Sequence, residues 1–170
     1  MLEILPETPD RHADAIEALF DRTFGPGHFS KTAERLREGN ISLPAINRVT
    51  LKDEKVIGVC RVWPIEIGTQ RQAALFFGPV AIDPMFRGKR LGLSVTGEAI
   101  EAATKGGWQT AVIIGAPDYF GELGFNQVKA GRLNFPGPQD QRRVMLRALA
   151  GSVDALEGAV RVPRDPSIYA

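Results

Sequence analysis

FGPVAIDPMFRGKRLG, residues 77–92, decides how this chain is read. The apolar run from Leu75 to Ile82 predicts a buried strand, Asp83-Pro84 a short turn, and Arg87-Gly88-Lys89-Arg90-Leu91-Gly92 the opening of a long amphipathic helix. Strand, small basic loop and helix together make an anion site from backbone. The first N–H groups of a helix lack intrahelical acceptors and point along the positive end of its dipole, where phosphate is the natural guest. Arg87, Lys89 and Arg90 stand where that dipole disfavours cations, a placement that a bound anion offsets. Gly88 and Gly92 leave room for a ligand to approach the main chain.

Downstream, Leu91, Val95, Ala99 and Ala103 make the apolar stripe of a helix running to Lys105, which Gly106-Gly107 ends. Thr110 to Ile114 is an almost wholly apolar strand, predicted to lie parallel to Ala73–Ile82 through a right-handed crossover. The loop after Ile82 and the segment from Gly115 to Phe120 then leave the carboxyl ends of neighbouring strands and face one crevice. An anion loop opposite the pair Tyr119-Phe120 suits a long, phosphate-bearing cofactor.

Upstream, Leu2 to Leu5 is a short strand, and Asp10 is expected to cap a helix ending at Phe24 before Gly25-Pro26-Gly27. A second helix is expected over Ser30 to Glu38. Strands at Arg48–Lys52, Val56–Ile67 and Ala73–Ile82 form an antiparallel meander, with a bulge expected near Trp63-Pro64 because proline cannot donate to a ladder. A brief helix over Asp118 to Leu123, a strand after Gly124-Phe125 and a last strand at Arg143–Ala148 follow. The fold class is α/β (α+β in stricter usage), with helices on both faces of a mixed sheet. Residues 1–150 are read as one domain. The loop-rich tail of residues 151–170, with Pro163 and Pro166, is expected to have no part in the core.

Composition narrows the function. Of 170 residues, 44% are hydrophobic and 24% charged, ordinary for a soluble globular chain, and a net charge of +1 offers no general field for nucleic acid. No signal-like N-terminus and no apolar run near membrane-spanning length is present, so a cytoplasmic, membrane-free protein is expected. The single cysteine, Cys60, sits in an apolar strand and reads as core. With two histidines and one cysteine, no metal site is expected.

These residues resemble the GNAT superfamily of N-acetyltransferases, and the bacterial branch of small predicted acetyltransferases in particular. The family's acetyl-CoA signature, [Q/R]-x-x-G-x-[G/A] after a strand ending in V-x-P, is matched by Ile82-Asp83-Pro84 and Arg87-x-x-Arg90-x-Gly92, and its aromatic Gly-Phe element by Tyr119-Phe120-Gly121-Glu122-Leu123-Gly124-Phe125. The order of elements over roughly residues 2 to 150 also agrees. The resemblance implies a mostly antiparallel sheet with a splayed central parallel pair. It implies acetyl-CoA as acyl donor, with its pantetheine arm along Val80, Ala81 and Ile82, one of whose N–H groups polarises the thioester carbonyl, and its pyrophosphate over Gly88 to Leu93. It implies an acceptor amine, small molecule or peptide, that attacks the thioester directly. A monomer or homodimer is expected.

Two departures matter. Arg90 replaces the loop glycine, and a helical, negative φ is expected to accommodate it. Phe120 stands where many members carry the tyrosine that protonates the departing thiolate, so Tyr119 becomes the candidate acid and Phe120 a cofactor-facing aromatic. No carboxylate lies in Leu75–Ile82, which leaves Glu66 in the neighbouring strand as candidate base, beside water-mediated deprotonation. His28 and Phe29 are candidate acceptor-wall residues. A CoA-binding module without catalysis is the alternative function, and a generic nucleotide-binding domain a third.

Overall fold

A computed structural model describes residues 1–25, 35–164 and 166–169. The expected second helix lies mostly outside the described residues, as do His28 and Phe29. The chain runs β1 (Leu2–Pro6), α1 (Pro9–Phe24), β2 (Arg48–Lys52), β3 (Lys55–Ile67), β4 (Gln72–Ile82), α2 (Leu91–Lys105), β5 (Thr110–Ile114), α3 (Pro117–Phe120), β6 (Asn126–Gln127), β7 (Leu133–Asn134), β8 (Val144–Ala148) and β9 (Gly158–Arg161). The sheet order is β1-β2-β3-β4-β5-β8-β6, antiparallel except at β4–β5. Off this path, β9 pairs antiparallel with β3 and parallel with β7.

Alternation along the strands sends side chains to two faces. On one, Ile16, Leu19 and Phe20 of α1 pack on Val49, Val59 and Ala81. On the other, Val95, Ala99 and Ala103 of α2 pack on Cys60, Leu75 and Ile113. No helix among the described residues is long and apolar enough to cross a membrane.

Several local expectations are corrected. Thr8, not Asp10, is the N-cap of α1, with Pro9 pre-set for the first turn and Asp10 inside it, facing the dipole. The irregularity in β3 falls between Cys60 and Val62, and Pro64 stays in register opposite Leu75. Pro64 is tolerated because its polar main-chain side faces away from β4, where its carbonyl accepts from Asn40 Nδ2 (2.8 Å). The tail is not peripheral: Leu156 and Val160 are buried with Ile65, Ile67 and Phe76, and β9 takes up the flank of β3 that β2 has left. Tyr169 reaches back to donate to Asn40 Oδ1 (2.5 Å).

His12, buried in α1, accepts from the Thr8 N–H through Nδ1 (3.0 Å), and its Nε2 has no partner among the described residues. Burial, with Arg11 beside it, lowers its pKa against the opposing pull of Glu7. The folded protein therefore prefers neutral His12, and between the folded and unfolded pKa values the unfolded chain binds more protons. Stability from this residue is complete above about 6.5, the unfolded value, and is lost as pH falls through the lower folded value. Thermal unfolding from pH 8 down to pH 5 is expected to show Tm falling across this window in the wild type and less steeply in His12→Gln. Parallel profiles would remove His12 from the explanation.

Candidate active site

The parallel ladder between β4 and β5 is short. It joins Leu75, Phe76 and Phe77 to Ala111, Val112 and Ile113 and goes no further. From Gly78 onward β4 stays with β3, pairing Val80 with Cys60, Ala81 with Val59 and Ile82 with Gly58. Past Ile113, β5 keeps to β8, and Gly115 donates to the Arg143 carbonyl (3.0 Å). The two central strands thus part, and the side of β4 that faced β5 is left without a ladder partner among the described residues.

A cavity of about 730 Å³ opens at this divergence, floored by Gly78, Pro79 and Val80 on one side and Ile113, Ile114 and Gly115 on the other. Glu17, Phe20 and Phe24 of α1 and Arg61 and Trp63 of β3 make one wall. Gln139, Asp140 and Arg143, ahead of and entering β8, stand at the opposite rim. The Trp63 indole donates to the Gly78 carbonyl (2.7 Å), which fixes the ring beside the parting strands.

Behind that wall lies a polar cluster that sequence reading does not find. Glu7, 6% exposed, accepts from Arg61 Nη2 (2.9 Å) and Nε (3.2 Å) and from Asn47 Nδ2 (3.0 Å). Asn47 in turn accepts from the Val62 N–H (2.7 Å), satisfying the amide that the β3 irregularity turns out of the ladder. The third Arg61 nitrogen, Nη1, reaches Glu17 Oε1 at 3.4 Å.

After Ile82 the chain makes its tight turn around Asp83, whose buried carboxylate accepts from the Met85 N–H (3.0 Å) and from Arg22 of α1 (3.1 Å). The Met85 amide foremost, and then Arg22, hold its carboxyl below the usual range. Gly88 and Arg90 both take positive φ, 82° and 58°. The expectation of a negative φ at Arg90 is overturned: this loop keeps the left-handed geometry that glycine ordinarily provides, at about 1–2 kcal/mol for a residue with a Cβ. The Arg90 guanidinium, exposed, pairs with Glu122 (3.0 Å). Among the described residues the amides of Gly88 to Leu93 have no acceptor, and the helical ladder begins with the Ser94 N–H on the Arg90 carbonyl (3.1 Å). Arg87, Gly88 and Lys89 are exposed beside them, whereas Leu91, Gly92 and Leu93 are buried. The amides of Gly88 to Leu93 thus make a row of free donors at the place where the sequence predicts an anion site.

The candidate catalytic residues fare differently. Phe120 lines the cavity, its ring so close to Gly115 that a Cβ there would lie 2.5 Å from Cε2. Tyr119 packs edge-on to Phe120, with centroids 4.9 Å apart, and directs its hydroxyl to Gly92 in the first turn of α2, away from the cavity. Glu66 is not brought to the site. It faces Ala73, separated from Val80 by roughly 20 Å of strand. Its carboxylate is held by Arg71 Nη1 (2.9 Å) and the Arg164 N–H (2.9 Å). Cys60 is fully buried, and burial pushes its thiol up to about 12, so it does not serve as a nucleophile.

Gly92 is glycine for a steric reason: a methyl there would overlap the Tyr119 hydroxyl. Gly92→Ala is expected to displace Tyr119 and weaken coenzyme A binding about tenfold, roughly 1.4 kcal/mol. Tyr119→Phe in the same chain should recover most of that loss, because the next ring atom lies 3.4 Å from the added methyl. Calorimetric titration of the two single variants and the double variant measures the coupling. Additive losses would contradict the contact.

No family model matches the chain. The uncharacterised N-acetyltransferase YhbS of Escherichia coli is 26% identical over 147 residues, 86% of each chain. The crystal structure of that GNAT-family protein in complex with CoA superposes with a TM-score of 0.79 at 25% identity, covering 95% of this chain and 89% of the other. A GNAT acetyltransferase from Brucella melitensis, solved with acetyl-CoA, gives a TM-score of 0.70 at 22% identity over 96% of this chain and 97% of the other, a likeness of fold.

Proposed function

We propose that this chain, a GNAT N-acetyltransferase by fold and by sequence likeness, moves an acetyl group from acetyl-CoA to an amine by direct attack within a ternary complex. The observation that carries this reading is the parting of β4 and β5 beside the unpartnered amides of Gly88 to Leu93. Those two features are orphaned polar groups in the geometry that a pantetheine arm and a pyrophosphate require. Val80, Ala81 and Ile82 offer the open strand edge, and one of their N–H groups serves as the oxyanion donor. Arg87, Lys89 and Arg90 add charge to the amides of Gly88, Leu91, Gly92 and Leu93, with the Tyr119 hydroxyl at the same helix start. When bound, acetyl-CoA supplies an activated acyl group, and the chain's task is to orient it and to admit the amine at the cavity.

Phe120 contributes packing and exclusion of water. The coenzyme A thiol is acidic enough for its thiolate to depart without a proton from a side chain. Phe120 also favours a second reading, a coenzyme A-binding module with little or no turnover. Calorimetric binding of CoA beside CoA release from acetyl-CoA with a panel of amines separates the two. Micromolar binding with amine-dependent release supports the transferase, and tight binding without release across the panel supports the module.

A further inference from the structure

The register between β3 and β4 slips by one residue in the middle of the sheet. Cys60 stands opposite Val80 and Val62 opposite Phe77, so two residues of β4, Gly78 and Pro79, face the single Arg61. The extra residue therefore belongs to β4, at the point where that strand leaves β5. Beyond it the ladder regains its period. The Asp83 N–H donates to the Ile57 carbonyl (2.8 Å), and Ala81, two residues back and opposite Val59, shares that phase, so its amide is turned toward β3. Val80 and Ile82, in the opposite phase, turn their N–H groups and carbonyls to the open edge. Val80 lines the cavity, whereas Ile82 lies roughly 7 Å further along, beside the Asp83 turn.

The aim of the Val80 amide is set one peptide earlier. Gly78 takes a φ of 142°, and its carbonyl accepts from the Trp63 indole N–H at 2.7 Å. The next residue, Pro79, has its φ locked by its ring. A single torsion, the ψ of Pro79, therefore separates the peptide that Trp63 grips from the peptide that carries the Val80 N–H. Trp63 is itself anchored through its main chain, in register with Phe76.

We propose that Trp63 is a positioning residue for acyl transfer: its indole N–H, acting through the Gly78 carbonyl, holds the Val80 N–H on the thioester carbonyl of bound acetyl-CoA. The inference rests on the transferase reading of the cavity. When the amine attacks, charge develops on that carbonyl oxygen, and a donor already aimed at it needs no reorganisation. Because Trp63 acts through the main chain, its donor atom matters beyond the bulk of its ring.

The test places benzothienylalanine at position 63, a residue of the same outline with sulfur where the indole has its N–H. Trp63→Phe is the simpler companion variant. Infrared difference spectra of acetyl-CoA labelled with carbon-13 at the thioester carbonyl read the donor directly, whether or not turnover follows. Binding to the wild type is expected to lower the carbonyl frequency, and the benzothienyl protein should lose about half of that shift or more. Its Kd for acetyl-CoA should stay within about threefold of the wild type, because the cavity wall keeps its shape. With an amine from the panel that turns over, kcat should fall about tenfold at that nearly unchanged Kd. A benzothienyl protein that keeps the wild-type frequency, a frequency that binding to the wild type does not lower, or a lost shift matched by an equal loss of affinity would each overturn the proposal and leave the coenzyme site standing. Failure of acetyl-CoA to bind the wild type would instead overturn the transferase reading.

Discussion

Arg61→Met is expected to destabilise the protein by about 3–5 kcal/mol, the largest single effect foreseen for a polar residue here. The substitution removes a partly buried cation and leaves the Glu7 carboxylate, 3% exposed, with Asn47 Nδ2 as its remaining side-chain donor among the described residues. An unpaired buried charge is costly where a paired one is nearly neutral, so the loss measures the stranding of Glu7 rather than the worth of the ion pair. Adding Glu7→Gln should recover more than half of it, because a neutral amide oxygen still accepts from Asn47. Denaturant unfolding of the two single variants and the double variant reads the cycle. A loss under about 1 kcal/mol for Arg61→Met, the size of an exposed pair, would show that Glu7 is effectively solvated.

The second large effect concerns binding. Arg87 and Lys89 are exposed beside the free amides of the α2 start, and removing both is expected to weaken CoA by about 30-fold, taking about 1 kcal/mol for each exposed contact. The effect should shrink with added salt, because exposed charges are screened. Thermal stability of Arg87→Ala/Lys89→Ala should match the wild type, since neither side chain is buried. An unchanged Kd at low salt would place the phosphates elsewhere.

The parts of the fold legible in sequence are those that one contiguous stretch specifies. The apolar runs at Leu75–Ile82 and Thr110–Ile114, with an amphipathic segment between them, dictate a parallel pair and its crossover, and the structure has both. The start of α2 was legible for the same reason, since glycine and basic residues at a helix opening are local chemistry. What depends on partners far apart in the chain was not. Arg61 meets Glu7 across 54 positions, and Glu66 meets the Arg164 N–H across 98, so Glu66 read as a free carboxylate when its oxygens were already engaged. The β3 irregularity was placed at Pro64 because proline is the visible breaker. The real site is Arg61–Val62, where the Asn47 side chain supplies the missing acceptor. β9 escaped notice because four residues, Gly158 to Arg161, carry too little pattern to announce a strand, and only an open flank on β3 makes them one. At Arg90 the residue type misled: arginine stands in a left-handed position that the loop's path imposes on whichever residue occupies it.

Amide hydrogen exchange of the wild type with and without saturating CoA tests the central claim most directly. Gly78 to Ile82 and Gly88 to Leu93, the open edge of β4 and the free amides at the start of α2, should both slow on binding, by about tenfold or more where a new acceptor forms. Binding that protects neither segment, or protects only residues away from the divergence of β4 and β5, would contradict it.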